Sequence, residues 1–320
     1  MINLFRHSNP ISLLLLVILA SFSHFFFPFS TLKLELPQHA TMFSSQFNNL
    51  FGNFFLTPSL GNGLISTIVI LVEAFGLNKI LSNLRLFEKS GFIPSLCFVA
   101  LTNLVPFPYQ AEMLFVNGAL ILSLSYIISS FKKEKANGTI LLAGFFAGVA
   151  AGFNNNLLFF IWLTISLFAM RTVSIREWLI STIGFLLPYY FMISILYLTN
   201  KIDTSLILQI PMINMGMPTL DTIALLRYSS FMGIGAIGVI KSGQALGKML
   251  IHARKTITVT YQLFFVTLIS CLISLQLSPY NLFMMTVPVS ILITPIFTNY
   301  KKPFIPNLVL VLLIVLSMLR

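Results

Sequence analysis

The sequence predicts an all-α polytopic membrane protein of about eleven transmembrane helices, on three observations. Only 8% of the 320 residues are charged, where a soluble domain of this length carries about 25%. Apolar types make up 57% of the chain and its mean hydropathy is +0.93, which at roughly 20 residues per crossing gives material for roughly nine to eleven spans. The 19 Lys and Arg fall almost entirely in short gaps between the apolar runs. So few charges do not cover a water-soluble globule, which excludes soluble enzymes, nucleic-acid binders and secreted disulfide scaffolds.

The runs long enough to cross, or nearly so, are 11–28, 61–78, 92–107, 113–131, 179–199, 223–240, 257–276, 283–299 and 304–319. The first could pass for a signal peptide, but no small-x-small cleavage site follows it. It continues into His24-Phe25-Phe26-Phe27-Pro28 and is read as an uncleaved first helix. The stretch 139–170 is too long for one crossing: as a single helix it would run about 48 Å against a hydrocarbon core of about 30 Å. Asn154-Asn155-Asn156 at its centre supplies turn formers, so it is divided into 139–153 and 157–170.

Charge placement supports that division. With eleven crossings and a cytoplasmic N-terminus, the inside segments hold Arg6, Lys79, Arg85, Lys89, Lys132, Lys133, Lys135, Arg171 and Arg176. They also hold Lys241, Lys248, Arg254, Lys255, Lys301 and Lys302, fifteen of the nineteen basic residues in all. A single crossing at 139–170 would move the last eight to the other side and erase the asymmetry that orients membrane proteins. The same asymmetry accounts for the net charge of +11 without nucleic acid or another polyanion as partner. The basic segment 241–256 then reads as an interfacial anchor for anionic lipid.

Outside the crossings, the first external loop spans 29–60. Within it Phe43, Phe47, Leu50, Phe51 and Phe54 recur at helical spacing, with Ser and Asn on the other face. That pattern predicts an uncharged amphipathic helix lying on the outer leaflet. A second external loop, 200–222, holds Lys201, Asp203 and Asp221 around a Met- and Pro-rich middle.

Chemistry-bearing residues are few. No GxxxxGK[ST], HExxH or CxxC motif is present, the four His are scattered singly, and Cys97 and Cys271 lie inside apolar runs; no cofactor is evident. Gly144, Gly148 and Gly152 form a double GxxxG, read as a face where helix backbones approach closely. Gly233, Gly235 and Gly238 form a less regular version. Glu73 sits in the middle of the second crossing, in Ile-Leu-Val-Glu-Ala-Phe, where a charge costs at least about 2.5–3.5 kcal/mol. It is either a proton or cation site, or a protonated acid bonded to an interior Asn such as Asn103 or Asn117. Glu35 and Glu112 both fall at the external side. Two carboxylates there can hold a divalent metal or share acid–base work, and two wet surface residues would look the same.

This layout resembles the GT-C superfamily of membrane glycosyltransferases, which includes protein O-mannosyltransferases. The resemblance is carried by Glu35 in the first external loop, the amphipathic segment 42–55, Val105-Pro106-Phe107-Pro108 leading to Glu112, and the helix from Gly144 to Gly152 with its Asn turn. It implies a seven-helix module over 1–199 and a four-helix module over 200–320. It also implies a polyprenyl-phosphate-linked sugar donor used at the external face, with Glu35 as general base, Glu112 positioning acceptor or metal, and Arg227 pairing with the donor phosphate. Many members carry paired acids in the first loop, whereas this chain has Glu35 with Lys33 nearby. The opening Leu4-Phe5-Arg6-His7-Ser8-Asn9-Pro10, with Arg176-Glu177-Trp178 and Gly184-Phe185-Leu186-Leu187-Pro188, also resembles a family of multi-pass inner-membrane proteins of Bacteroidota. That likeness implies location in a bacterial cytoplasmic membrane and no activity. Two rivals remain beside the transferase: a transporter coupled through Glu73, and a non-catalytic scaffold subunit of an envelope complex.

Overall fold

The computed structural model describes residues 2–6, 9–25, 43, 60–83, 91–105, 110–131, 133, 136–154, 156–199, 222–273, 279–299 and 304–318. Among these there is no strand. In chain order the helices are α1 (Ile2–Arg6), α2 (Pro10–Phe25), α3 (Leu60–Asn83), α4 (Ile93–Thr102), α5 (Gln110–Ser129) and α6 (Asn137–Asn154). They continue with α7 (Leu158–Met170), α8 (Ile175–Leu198), α9 (Thr222–Ala245), α10 (Ile251–Ile273), α11 (Pro279–Asn299) and α12 (Phe304–Met318). Within the described residues, each apolar run named above falls on its own helix. The stretch 139–170 is broken between Asn154 and Leu158, where the Asn156 side chain accepts a hydrogen bond from the Leu158 amide and donates to Ser270.

Several helices extend past their apolar runs, because hydropathy marks what is apolar and not where backbone hydrogen bonding stops. α8 begins at Ile175, inside the basic gap. A capping box starts it: Ser174 Oγ accepts from the Glu177 amide and Glu177 accepts from the Ser174 amide, satisfying two donors that a helix start otherwise leaves orphaned. The segment 241–256 is a tight helical hairpin: α9 runs to Ala245, a 3₁₀ turn covers Leu246–Lys248, and α10 starts at Ile251. Arg254 and Lys255 are thus helical residues. Gly91 is required by its position, with φ of 46°, a left-handed value open to glycine. A Cβ there would also run into the Phe5 carbonyl.

Two long-range packing relations organise the bundle. α6 and α8 are seated backbone to backbone. A Cβ at Gly144 would meet Ser181 O, one at Gly148 would meet Phe185 O, and one at Gly184 would meet Leu141 O. Farther along, the Phe43 ring bridges Phe153 and Tyr189 at centroid distances of 5.7 and 5.4 Å, so the two helices run parallel. α7, lying between them in sequence, therefore runs back the other way. The second relation is a hub: α11 packs on α4, α5, α9 and α10, and every residue from Leu282 to Phe297 is buried. α4 is buried on all sides as well. Helices of 1–199 and of 200–320 interleave at this hub.

Two helices are long and apolar enough to cross a membrane among the described residues, Gly63–Asn83 within α3 and Ile175–Leu198. Only 39% and 28% of their apolar stretches are buried. Neither is enclosed in the way a soluble protein's core helix would be.

Candidate functional site

The bundle has two chemically different ends. At one, Phe131 closes α5, and the His252 ring stacks on it at 4.5 Å while Lys255 Nζ lies 5.2 Å from its centroid. Lys255 Nζ donates to Met170 O at 2.7 Å, Arg171 donates to Lys133 O at 3.0 Å, and Arg6 donates to Phe297 O at 3.0 Å. These cations bond carbonyls at or just beyond the C-terminal ends of α5, α7 and α11, where the helix dipole is negative. Lys79, Arg176, Lys241 and Arg254 belong to the same end through the helix termini that carry them. Every basic residue whose side chain is described therefore sits at one end. Phe43, and Asn156 with its Ser270 partner, mark the other.

A notch of about 220 Å³ between α7 and α8 at the basic end is lined by Phe168, Val173, Ser174, Ile175 and Trp178. None of the candidate residues lines it. Beside it, Arg171 and Glu177 form an ion pair at 2.8 Å.

Of the four candidate residues, Glu73 is the one with a described side chain. It is 7% exposed, midway along α3, and its Oε1 would lie 3.0 Å from a Cβ on Gly118 of α5. The absence of a side chain at residue 118 makes that seat. Oε2 is buried and has no hydrogen-bond partner. Neither expected asparagine partner bonds it: Asn103 Nδ2 donates to Leu19 O at 2.8 Å, Asn117 Nδ2 donates to Phe283 O at 3.2 Å and Thr286 Oγ1 at 2.9 Å, and the buried Oδ1 of each has no hydrogen-bond partner. Glu73 forms no ion pair among the described residues. Gly118 was not singled out from the sequence; the available signal was an Asn-Gly pair interrupting the apolar run of α5.

Glu35 lies outside the described residues, as does the predicted helix 42–55 apart from the buried, helical Phe43. The side chains of Glu112 and Arg227 are likewise outside the described set, while their backbones are helical, in the opening turns of α5 and α9. Contacts with α11 fix the relative depth of those turns. Asn117 meets Phe283 and Thr286, whereas Gly235 approaches Val289 and Gly238 approaches Leu292 and Ile293. Counting back along each helix brings positions 112 and 227 level with the first turn of α11, at the end opposite the basic one. Among the described residues, no group of three or more His, Cys, Asp or Glu is placed to hold a metal.

Compared with known proteins, the chain matches no family model, no curated protein and no solved structure.

Proposed function

We propose that this chain is a multi-pass protein of a bacterial cytoplasmic membrane, crossing eleven times with its N-terminus inside and its C-terminus outside. The carrying observation is α8. Ile175, Leu179, Ile183, Leu186, Tyr190 and Phe191 are all exposed along it, a surface that water would penalise and acyl chains would not. The parallel setting of α6 and α8 supports a return crossing by α7, and the gathering of described basic residues at one end supports its assignment as cytoplasmic.

Within that frame we propose a GT-C-like glycosyltransferase that takes sugar from a polyprenyl-phosphate donor at the external face. Transfer of this kind needs a base near the acceptor and a cation near the departing phosphate. The level placement of positions 112 and 227 at the end opposite the basic cluster supports a shared site in which Glu112 positions acceptor or metal and Arg227 pairs with the donor phosphate, and Glu35 would supply the base. Glu73 favours the transporter reading instead, since an intramembrane acid with no ion pair among the described residues is a candidate for a proton or ion pathway. Reconstituted vesicles separate the two. Glu35→Gln is expected to abolish sugar transfer with expression and thermal stability nearly unchanged, while Glu73→Gln leaves transfer intact. Vesicle transport lost in Glu73→Gln and unaffected by Glu35→Gln, with no sugar transfer, favours a transporter, and a cell phenotype indifferent to both substitutions favours a scaffold. A C-terminal phosphatase fusion is expected to be active and a C-terminal fluorescent fusion dark; a bright fusion would end the eleven-crossing topology.

A further inference from the structure

We propose that Glu73 is an occluded proton-binding site, a carboxyl that keeps its proton while α3 is seated on α5 and releases it only when that contact opens. The proposal rests on the membrane reading of the chain but not on the transferase.

Among the described residues no cation lies beside the Glu73 carboxyl, whose one stabilising contact is the backbone of Gly118. Lys79, on the same helix, is exposed at the basic end, more than a turn away. The helices packed on α3 are chiefly α2, α4 and α5. Among their described side chains the titratable groups are Cys97 and Tyr126, and none is a Lys, Arg or His. An ionised Glu73 would therefore face buried surroundings with no countercharge among the described residues, and with one oxygen unbonded. Removing an unpaired charge from water costs far more than removing a neutral polar group, so burial favours the protonated acid. A metal cation fits less well than a proton. Hard cations take several oxygens at once, and the seat offers one carboxyl against the backbone of a glycine.

The seat also explains why release would be gated. The Glu73 carboxyl takes the place that a side chain on Gly118 would fill, its Oε1 being the nearest atom to a Cβ there, and the proposed route for water to the buried Oε2 is a parting of α3 and α5. Opening exposes the acid, hydration permits ionisation, and the resulting charge opposes reseating. Proton occupancy and helix contact are thereby linked, each favouring the other.

Dicyclohexylcarbodiimide, an apolar reagent that attacks protonated carboxyls, tests this on the whole protein in liposomes. It is expected to modify Glu73, located by peptide mass spectrometry, more slowly as pH rises, with loss of the label in Glu73→Gln. A water-soluble carbodiimide is expected to leave Glu73 unmodified. Gly118→Ala, which places a methyl 3.0 Å from the carboxyl, is expected to change the labelling rate several-fold. Equal labelling by both reagents would overturn the occluded site. Absence of label, in protein that still resists alkaline extraction from the membrane, would overturn the proton site while leaving the membrane reading standing. Slowing by sodium ions at constant ionic strength would overturn it in favour of a metal-cation site.

Discussion

α8 and α11 are of similar length, 24 and 21 residues, and both are overwhelmingly apolar, yet their surroundings are opposite. α11 is enclosed on every side from Leu282 to Phe297. α8 buries a narrow seam, Ser181, Gly184, Phe185 and Pro188, and exposes most of the rest. The difference lies in where small residues fall. On α8 they make one stripe, and that stripe meets the glycine face of α6. Around α11, Thr286, Ser290 and Thr294 recur every fourth residue and are all fully buried. Each donates its hydroxyl to a carbonyl of its own helix, at 2.6, 2.8 and 2.8 Å, so none is left unsatisfied by apolar neighbours. Pro288 and Pro295 interrupt the same helix, which is tolerated where neighbours enclose it. Enclosure of α11 thus goes with small residues on both partners, the Thr/Ser stripe on one of its own faces and Gly235 and Gly238 of α9 against Val289 and Leu292, whereas α8 offers a single such seam.

The largest expected effect comes from removing matched bulk on the two helices. Leu292→Ala, in the enclosed α11 against Gly238, should cost about 2–5 kcal/mol, because the cavity cannot be filled. Leu186→Ala, at a position 55% exposed on α8, should cost under about 1 kcal/mol. Thermal unfolding of the purified protein in detergent reads both, and equal losses would break the contrast between core and periphery. A smaller effect is expected on the single seam of α8. Gly148→Ala sets a methyl against the Phe185 carbonyl and should cost about 1–3 kcal/mol by overpacking. Gly138→Ala, on the same helix with nothing near its Cβ, should be neutral or slightly stabilising. The smallest concerns the foot of α8. Arg171→Gln removes a partly exposed ion pair with Glu177 and should cost at most about 1 kcal/mol, since the capping box survives without it. A larger loss in the same melting measurement would mean that this end is fastened by charge and not by packing.

Much of the helical order was legible from residues alone, and for identifiable reasons. Apolar runs separated by charge become separate helices, and three consecutive asparagines at 154–156 mark a break because they compete for backbone hydrogen bonds. The glycine periodicity of α6 announced a close contact, though not with which helix. α8 starts four residues before the apolar run 179–199, because Arg176 and Glu177 are polar residues that a capping box nevertheless brings into the helix. The candidate site was less legible. Glu73 stood out by depth, but its neighbour was expected to be Asn103 or Asn117, and both amides serve other helices. A residue's partner across a bundle depends on helix rotation and register, which one helix's sequence does not encode.

The amino-acid sequence by itself determined composition, the number and order of apolar helices, the break after Asn154, and the sorting of basic residues into alternate gaps. These are local properties, set by side-chain hydropathy and by what each residue does to its own backbone. Tertiary structure alone decided that α11 is central and α8 peripheral, that α6 and α8 run parallel, that Phe131, His252 and Lys255 stack at one end, and that Glu73 rests on a glycine. Those are relations between distant segments, selected by which small and large surfaces interlock, and many arrangements of equally apolar helices satisfy hydropathy before packing chooses one.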